Sequence, residues 1–308
     1  MTKEQYLKNL NVPDGKVDVV LDTDTYNEVD DLFALCWMLK CEHKFNIKGI
    51  CAAPFFNHLA SSAAEGMEKS YNEILKLLNL ANKYELSKSV FKGSKSYLPD
   101  ETTAVESAAA DFIADLANNY SAENPLYIVA IGAITNIASA ILKNPNMKEN
   151  TVVVWLGGHD INFEKPVSEF NMRQDVAAAR VVIGSGVPMV MLPCNGVVDR
   201  LNTNKYELIH WLKDKNSLCN YLYEFTVNEC EKIIPYKAWS KTIWDIAAIA
   251  WFMNDENRFM SSKKIPAFIP EYNGEYSFDE KRRLIEYVTR INRDAIFEDL
   301  FLKLAEFD

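Results

Sequence analysis

Histidine is scarce in this chain, with four in 308 residues, and several other signals are missing altogether. No apolar run approaches the ~20 residues that span a bilayer, which argues against a membrane partner. The segment MTKEQYLKNLNVPDGK has no apolar core of the kind a signal peptide carries, so a cytoplasmic location is expected. None of the six cysteines (Cys36, Cys41, Cys51, Cys194, Cys219, Cys230) forms a CxxC pair, and several sit in apolar stretches. They read as reduced core residues, not as a disulfide framework or a zinc site. There is no internal repeat, no low-complexity tract and no Ser/Gly/Pro-rich linker. One domain over 1–308 is therefore expected, with a helical excursion near 194–240.

Basic charge is also in deficit. The formal net charge is −10, from 43 acidic and 33 basic side chains, so polymeric nucleic acid is not an expected partner. The 48% hydrophobic content is enough for a sizeable core.

What is present is an alternation of two periods. Val17–Leu21, Phe45–Ala53, Leu126–Ile131, Thr151–Leu156 and Val187–Leu192 are short apolar runs that read as strands. Between and after them, Asp31–Lys40, residues 58–83, Ala133–Lys143, Asp175–Ile183, 203–233, 242–254 and 293–305 read as helices. The pattern predicts an α/β fold: an open, mainly parallel sheet with helices on both faces. Ligands in such folds bind at the carboxyl ends of the strands, so polar residues just past a strand are site candidates.

The first strand ends in such a group. In VVLDTDTYNEVDDL, Asp22, Asp24, Asp30 and Asp31 crowd together. Unpaired carboxylates this close raise one another's pKa, and a hard divalent cation with oxygen ligands removes that cost. A plainer reading is that Asp30 and Asp31 favour the amino end of the next helix through its dipole. VVLDTDT also fits the start of a haloacid-dehalogenase-type phosphatase, with Asp22 as nucleophile. That reading lacks a convincing downstream set of phosphate- and magnesium-holding residues, and Tyr26 replaces a small or β-branched residue.

Later stretches carry a more specific likeness. GICAAPFFN ends in Asn57. IGAITNIASAIL and WLGGHDINFEKPVSEFN each follow a strand, and TIWDIAAIAWF comes far downstream. In this order the segments resemble the calcium-dependent nucleoside hydrolases, the inosine/uridine-preferring family and its relatives, from about Val17 to Met253. INRDAIFEDLFLKL continues the likeness more weakly.

The resemblance implies the family's open α/β sheet and a small-molecule ribonucleoside as partner, in a protein that often forms dimers or tetramers. It implies that Asp24 is calcium ligand and general base, with Asp31, Asp245 and the backbone carbonyl of Ile131 as further calcium ligands. Asp30, Asn57, Glu169 and Asn171 would hold the ribose. Asn162 would be a fourth such group, one residue out of the usual spacing. Asp22 would support the loop from behind. Cleavage of the N-glycosidic bond follows, with oxocarbenium character at C1′ stabilised by carboxylates. Read without the family, Asn57 and Asn162 are equally well loop residues bonding their own backbone. Glu169 and Asn171 share one face if their segment is extended.

Two departures stand out. The loop Thr25–Glu28 is two residues longer than the family's. It either bulges over the ribose, bringing Asn27 or Glu28 to the substrate, or is a solvated insertion. Trp244 precedes Asp245 where the inosine/uridine branch has a histidine as leaving-group acid. A tryptophan there resembles the purine-specific branch, where it would stack on the base, although it is also placed to be core on an apolar helix. Among the histidines, His159 is the better substitute acid, and Tyr97 is a second candidate for stacking. Two readings result: a nucleoside hydrolase with a purine preference, and a non-catalytic nucleoside or ribose binder of the same fold.

Overall fold

The computed structural model describes residues 1–164 and 166–307. In chain order its strands are β1 (Val17–Thr23), β2 (Phe45–Ala52), β3 (Val90–Lys92), β4 (Leu126–Ala130), β5 (Thr151–Leu156) and β6 (Met189–Leu192). After these come β7 (Asn202–Thr203), β8 (Lys241–Thr242), β9 (Met260–Pro266), β10 (Ile269–Pro270), β11 (Tyr276–Ser277) and β12 (Leu284–Ile291). Eight of them form one sheet in the order β3-β2-β1-β4-β5-β6-β12-β9. Every neighbouring pair is parallel except β12 with β9.

The central strands β4, β5 and β6 are buried at every position. This is why their sequences are unbroken apolar runs: helices cover both faces, so neither set of alternating side chains meets water. Along β5, Val152, Val154 and Leu156 enter one core and Val153 and Trp155 the other. The first core is closed by the helices Asp30–Lys40, Ile246–Phe252 and Arg293–Ala305, which pack together. Phe252 sits edge-on to Phe45 of β2 and Tyr127 of β4, 5.3 and 5.4 Å between ring centroids. The second core lies under Ala108–Leu116, Thr135–Lys143 and Val176–Ser185. Ser62 and Ser107 start two of the surface helices by accepting from the backbone N–H three residues on.

The strand order places the site. The chain lays down β1, β2 and β3 in one direction, then returns to put β4 on the other side of β1. The connections that leave the carboxyl ends of β1 and β4 therefore run opposite ways, and a crevice opens between them.

The structure differs from the sequence reading at several points. The first strand continues two residues past Leu21 to Thr23. The helix expected over 242–254 spans only Ile246–Phe252, because Lys241–Thr242 pairs with Asn202–Thr203 as a small antiparallel ribbon. Strands β9 and β12 were not anticipated. No helix among the described residues is long and apolar enough to cross a membrane.

Candidate active site

Asp22 lies inside β1, fully buried. Its Oδ1 accepts from Asn136 Nδ2 at 2.8 Å and its Oδ2 has no partner. Asn136 in turn accepts from Ser94 N and Oγ, at 2.8 and 2.9 Å. Burial, partly offset by Asn136, pushes the Asp22 carboxyl up to about 7. Asp22 does not line the crevice. A carboxylate sealed in this way cannot attack a phosphate, which removes the phosphatase reading.

Asp24, just past β1, does line the crevice. Both of its carboxylate oxygens are buried and neither has a hydrogen-bond partner. Gly132 permits this placement: a Cβ there would stand 3.0 Å from Asp24 Cγ and Oδ1. Burial, then Asp31 and Asp30, hold the Asp24 carboxyl well above the usual range.

Asp30 and Asp31 occupy the first turn of the helix Asp30–Lys40, where the helix dipole favours negative charge. Asp31 Oδ1 accepts from Thr23 Oγ1 at 2.5 Å, and Asp30 Oδ2 from the Trp244 backbone N–H at 3.2 Å. Asp245 immediately precedes the helix Ile246–Phe252. One oxygen from each of Asp30, Asp31 and Asp245 falls within 4.8 Å of the others. Burial raises all three carboxyls, and their mutual repulsion adds to it for Asp31 and Asp245. The tight triad thus contains Asp30, which the resemblance assigned to the sugar, and not Asp24.

These residues fit a hard divalent cation. Three carboxylates converge, a fourth carboxylate is buried without a partner, and Ile131 lines the same crevice. All the donors are oxygen, which suits calcium or magnesium and not zinc.

Glu169 and Asn171 also line the crevice. Their segment is not extended. Phe170–Gln174 is a short helix and Glu169 caps it, its carboxylate accepting from the N–H groups of Asn171, Met172 and Gly158, each at 2.8 Å. Asn171 Nδ2 donates to the carbonyls of Ile131 (3.2 Å) and Leu156 (3.0 Å), tying together the ends of β4 and β5.

Two expected sugar ligands stand elsewhere. Asn162 is exposed and turned back on its own loop, with N and Nδ2 both donating to Asp160 Oδ1. Asn57 lines a neighbouring cavity, where its Nδ2 donates to Asn27 Oδ1 at 2.7 Å. In both, a nearby side-chain oxygen takes the amide donor, and neither lines the crevice.

His159 lines the crevice, but its ring is engaged. Nδ1 accepts from the Asn195 backbone N–H at 3.3 Å, and Nε2 lies 3.2 Å from the Asn195 side-chain amide. Burial holds its pKa below the usual histidine value, with Asp199 pulling the other way. That environment favours the neutral ring and works against a role as acid. Tyr97 does not line the crevice. Its hydroxyl donates to Gln174 Oε1 at 2.5 Å. Trp244 lines the crevice and is partly buried.

The longer loop is part of the wall. Asn27 and Glu28 line the acidic cavity, of about 280 Å³, and also a second one of about 410 Å³ beside it. Tyr26 packs against Phe225 of the helix Ser217–Ile233, 6.4 Å between ring centroids. Cys194 and Asn195 also line the acidic cavity and escaped the sequence reading. They directly follow β6 and Pro193, so the strand-end rule applied to "MLPCNG" would have found them.

The chain resembles several known proteins. The chain is 43% identical over 68 residues to a probable ribonucleoside hydrolase of Dictyostelium discoideum, covering 21% of this chain and 20% of that one. It is 32% identical over 98 residues to the pyrimidine-specific ribonucleoside hydrolase RihA of Escherichia coli, covering 31% and 29%. The matches thus span under a third of these relatives' own length. Among solved structures, the purine-preferring ribonucleoside hydrolase of Gardnerella vaginalis superposes with a TM-score of 0.73 at 18% identity, covering 94% of this chain and 98% of that one, a likeness of fold. The sequence pattern of one family runs through residues 19–298, from β1 into the last helix. By that match the chain belongs to the inosine-uridine preferring nucleoside hydrolase family.

Proposed function

We propose that the protein hydrolyses the N-glycosidic bond of ribonucleosides, giving ribose and free base. The observation that carries this is Asp24: a buried carboxylate with no partner, facing the same crevice as the Asp30–Asp31–Asp245 triad. A protein gains no stability from leaving such a group unpaired, whereas a general base needs a free lone pair.

Asp24, Asp31, Asp245 and the Ile131 carbonyl would hold a calcium ion, which when bound acidifies a water and offsets the carboxylate charge. Asp24 takes the proton of the attacking water. Asp30, Glu169 and Asn171 bind the ribose hydroxyls and fix C1′ over the carboxylates, whose charge stabilises the oxocarbenium character that develops there. Trp244 offers an aromatic face to the base, and this supports a preference for purines. The named relatives include one pyrimidine-specific and one purine-preferring enzyme, so base choice rests with this chain's own residues. Six free, buried cysteines support a reducing, cytoplasmic setting.

The test is ribose release from inosine, adenosine, guanosine, uridine and cytidine, with calcium and then with chelator. Release is expected with calcium, fastest from the purines. Asp24→Asn should reduce turnover by about 10²–10⁴ fold, the usual worth of a positioned base. No release from any of the five would overturn the reading. Equal release from uridine would remove the purine preference alone.

A further inference from the structure

The two cavities share Asn27, Glu28 and Phe170 as a common wall. The acidic cavity contains no lysine or arginine among the described residues that line it, so no such cation faces a departing base from that side. The His159 ring is engaged by Asn195 at both nitrogens. Burial holds the Cys194 thiol well above its usual range, with Glu169 adding to it. Yet breaking a C1′–N bond sends an electron pair onto the base, and that charge must be met.

The second cavity contains a cation suited to meet it. Lys241, on β8, lines that cavity, and its Nζ pairs with Glu28 of the shared wall. Its side chain is only 19% exposed. Burial pulls the ammonium pKa down, but Asp30 and Glu28 outweigh that and hold it above the ordinary lysine value. Lys241 therefore stays charged. Arg173, the other cation lining this cavity, is exposed and lies over the Phe170 ring.

We infer that Lys241, held in place by Glu28 of the longer loop, compensates the negative charge of the departing base. This deepens the reading above and rests on it. Water adds its oxygen to C1′ and gives a proton to Asp24. The C1′–N bond breaks, and its electron pair leaves on the base nitrogen. The base departs as an anion beside the ammonium and takes a proton from solvent, while Asp24 returns one to solvent. The sum is nucleoside plus water to ribose plus base. The ammonium carries its full charge throughout, so no lysine proton is spent.

The test separates the departing group from the rest of the reaction. A ribonucleoside leaves a base that is a poor anion. 4-Nitrophenyl β-D-ribofuranoside leaves a nitrophenolate, which is stable without help. Lys241→Met should lower kcat/KM on the ribonucleosides by about 10²–10³ fold, the usual worth of one electrostatic stabiliser. On the nitrophenyl riboside the change should be less than about threefold. Lys241→Arg keeps the charge and should keep the wild-type ratio of the two substrates. Equal losses on both substrates in the methionine variant would make Lys241 a structural residue and overturn the inference. If that variant does not fold, the arginine variant decides, and a shifted substrate ratio overturns it. Failure of the wild-type protein on every riboside would instead overturn the hydrolase reading itself.

Discussion

Gly132 and Asp24 touch so closely that a methyl group on the glycine would stand 3.0 Å from the aspartate's Cγ and Oδ1, and 3.1 Å from the Cβ of Ala53. The glycine that ends the β4 strand region is therefore the seat of the proposed base.

Gly132→Ala should disturb Asp24 before anything else. Overpacking of this kind costs about 1–3 kcal/mol. We expect a lower melting temperature together with a fall in kcat that exceeds any change in KM. An alanine variant with wild-type kcat would show that the Asp24 position is not critical.

Stability should depend on pH in a direction set by the buried carboxylates. Asp22, Asp24, Asp31 and Asp245 all have folded-state pKa values above that of an unfolded carboxylate, mainly through burial. The folded protein thus binds protons more tightly than the unfolded one. The stability this confers is complete below the unfolded value of 3.8 and is lost as pH rises through the folded values, about 7 for Asp22 and about 8 for Asp31. Chelated protein should melt lower near pH 8 than near pH 6. A cation needs these groups deprotonated, so calcium should raise Tm more at the higher pH. Melting curves at both pH values, with calcium and with chelator, check this. A calcium effect equal at both would place the ion away from the cluster.

The three asparagines matched to sugar ligands should separate in experiment. Asn162→Ala removes an exposed amide bonded to its own loop, so stability should change by less than about 0.5 kcal/mol and kcat/KM should hold. Asn171→Ala leaves the carbonyls of Ile131 and Leu156 without their donor, at a cost of about 1–3 kcal/mol. It should also raise KM. Asn57→Ala should act through Asn27 and the wall between the cavities. Urea denaturation and steady-state kinetics on the three variants make the comparison.

The central strands could be read in the sequence because a parallel strand covered on both faces has no polar alternation. Thr151–Leu156 was placed without error for that reason. Strand β9, MSSKKIP, could not be read so. It is the antiparallel edge of the sheet, where serines and lysines face water and guard against further pairing. The acidic residues that line the crevice were legible because Asp24 directly follows a strand and Asp30, Asp31 and Asp245 stand at the start of helices. Glu169 was legible as a motif but not as a cap, since one turn of helix carries too few residues to show a period. The fate of Asn162 was set by Asp160, two residues away, and only coordinates reveal which acceptor an amide chooses.

The bond from Trp244 to Asp30 spans 214 residues of chain. On a ribosome adding about 5–20 residues per second, that separation is roughly 10–40 s of synthesis. Throughout that interval Asp24, Asp30 and Asp31 exist without Asp245. The proposed ion site is thus a late acquisition of the growing chain, and capture of the ion would mark a molecule whose first and last thirds have already met.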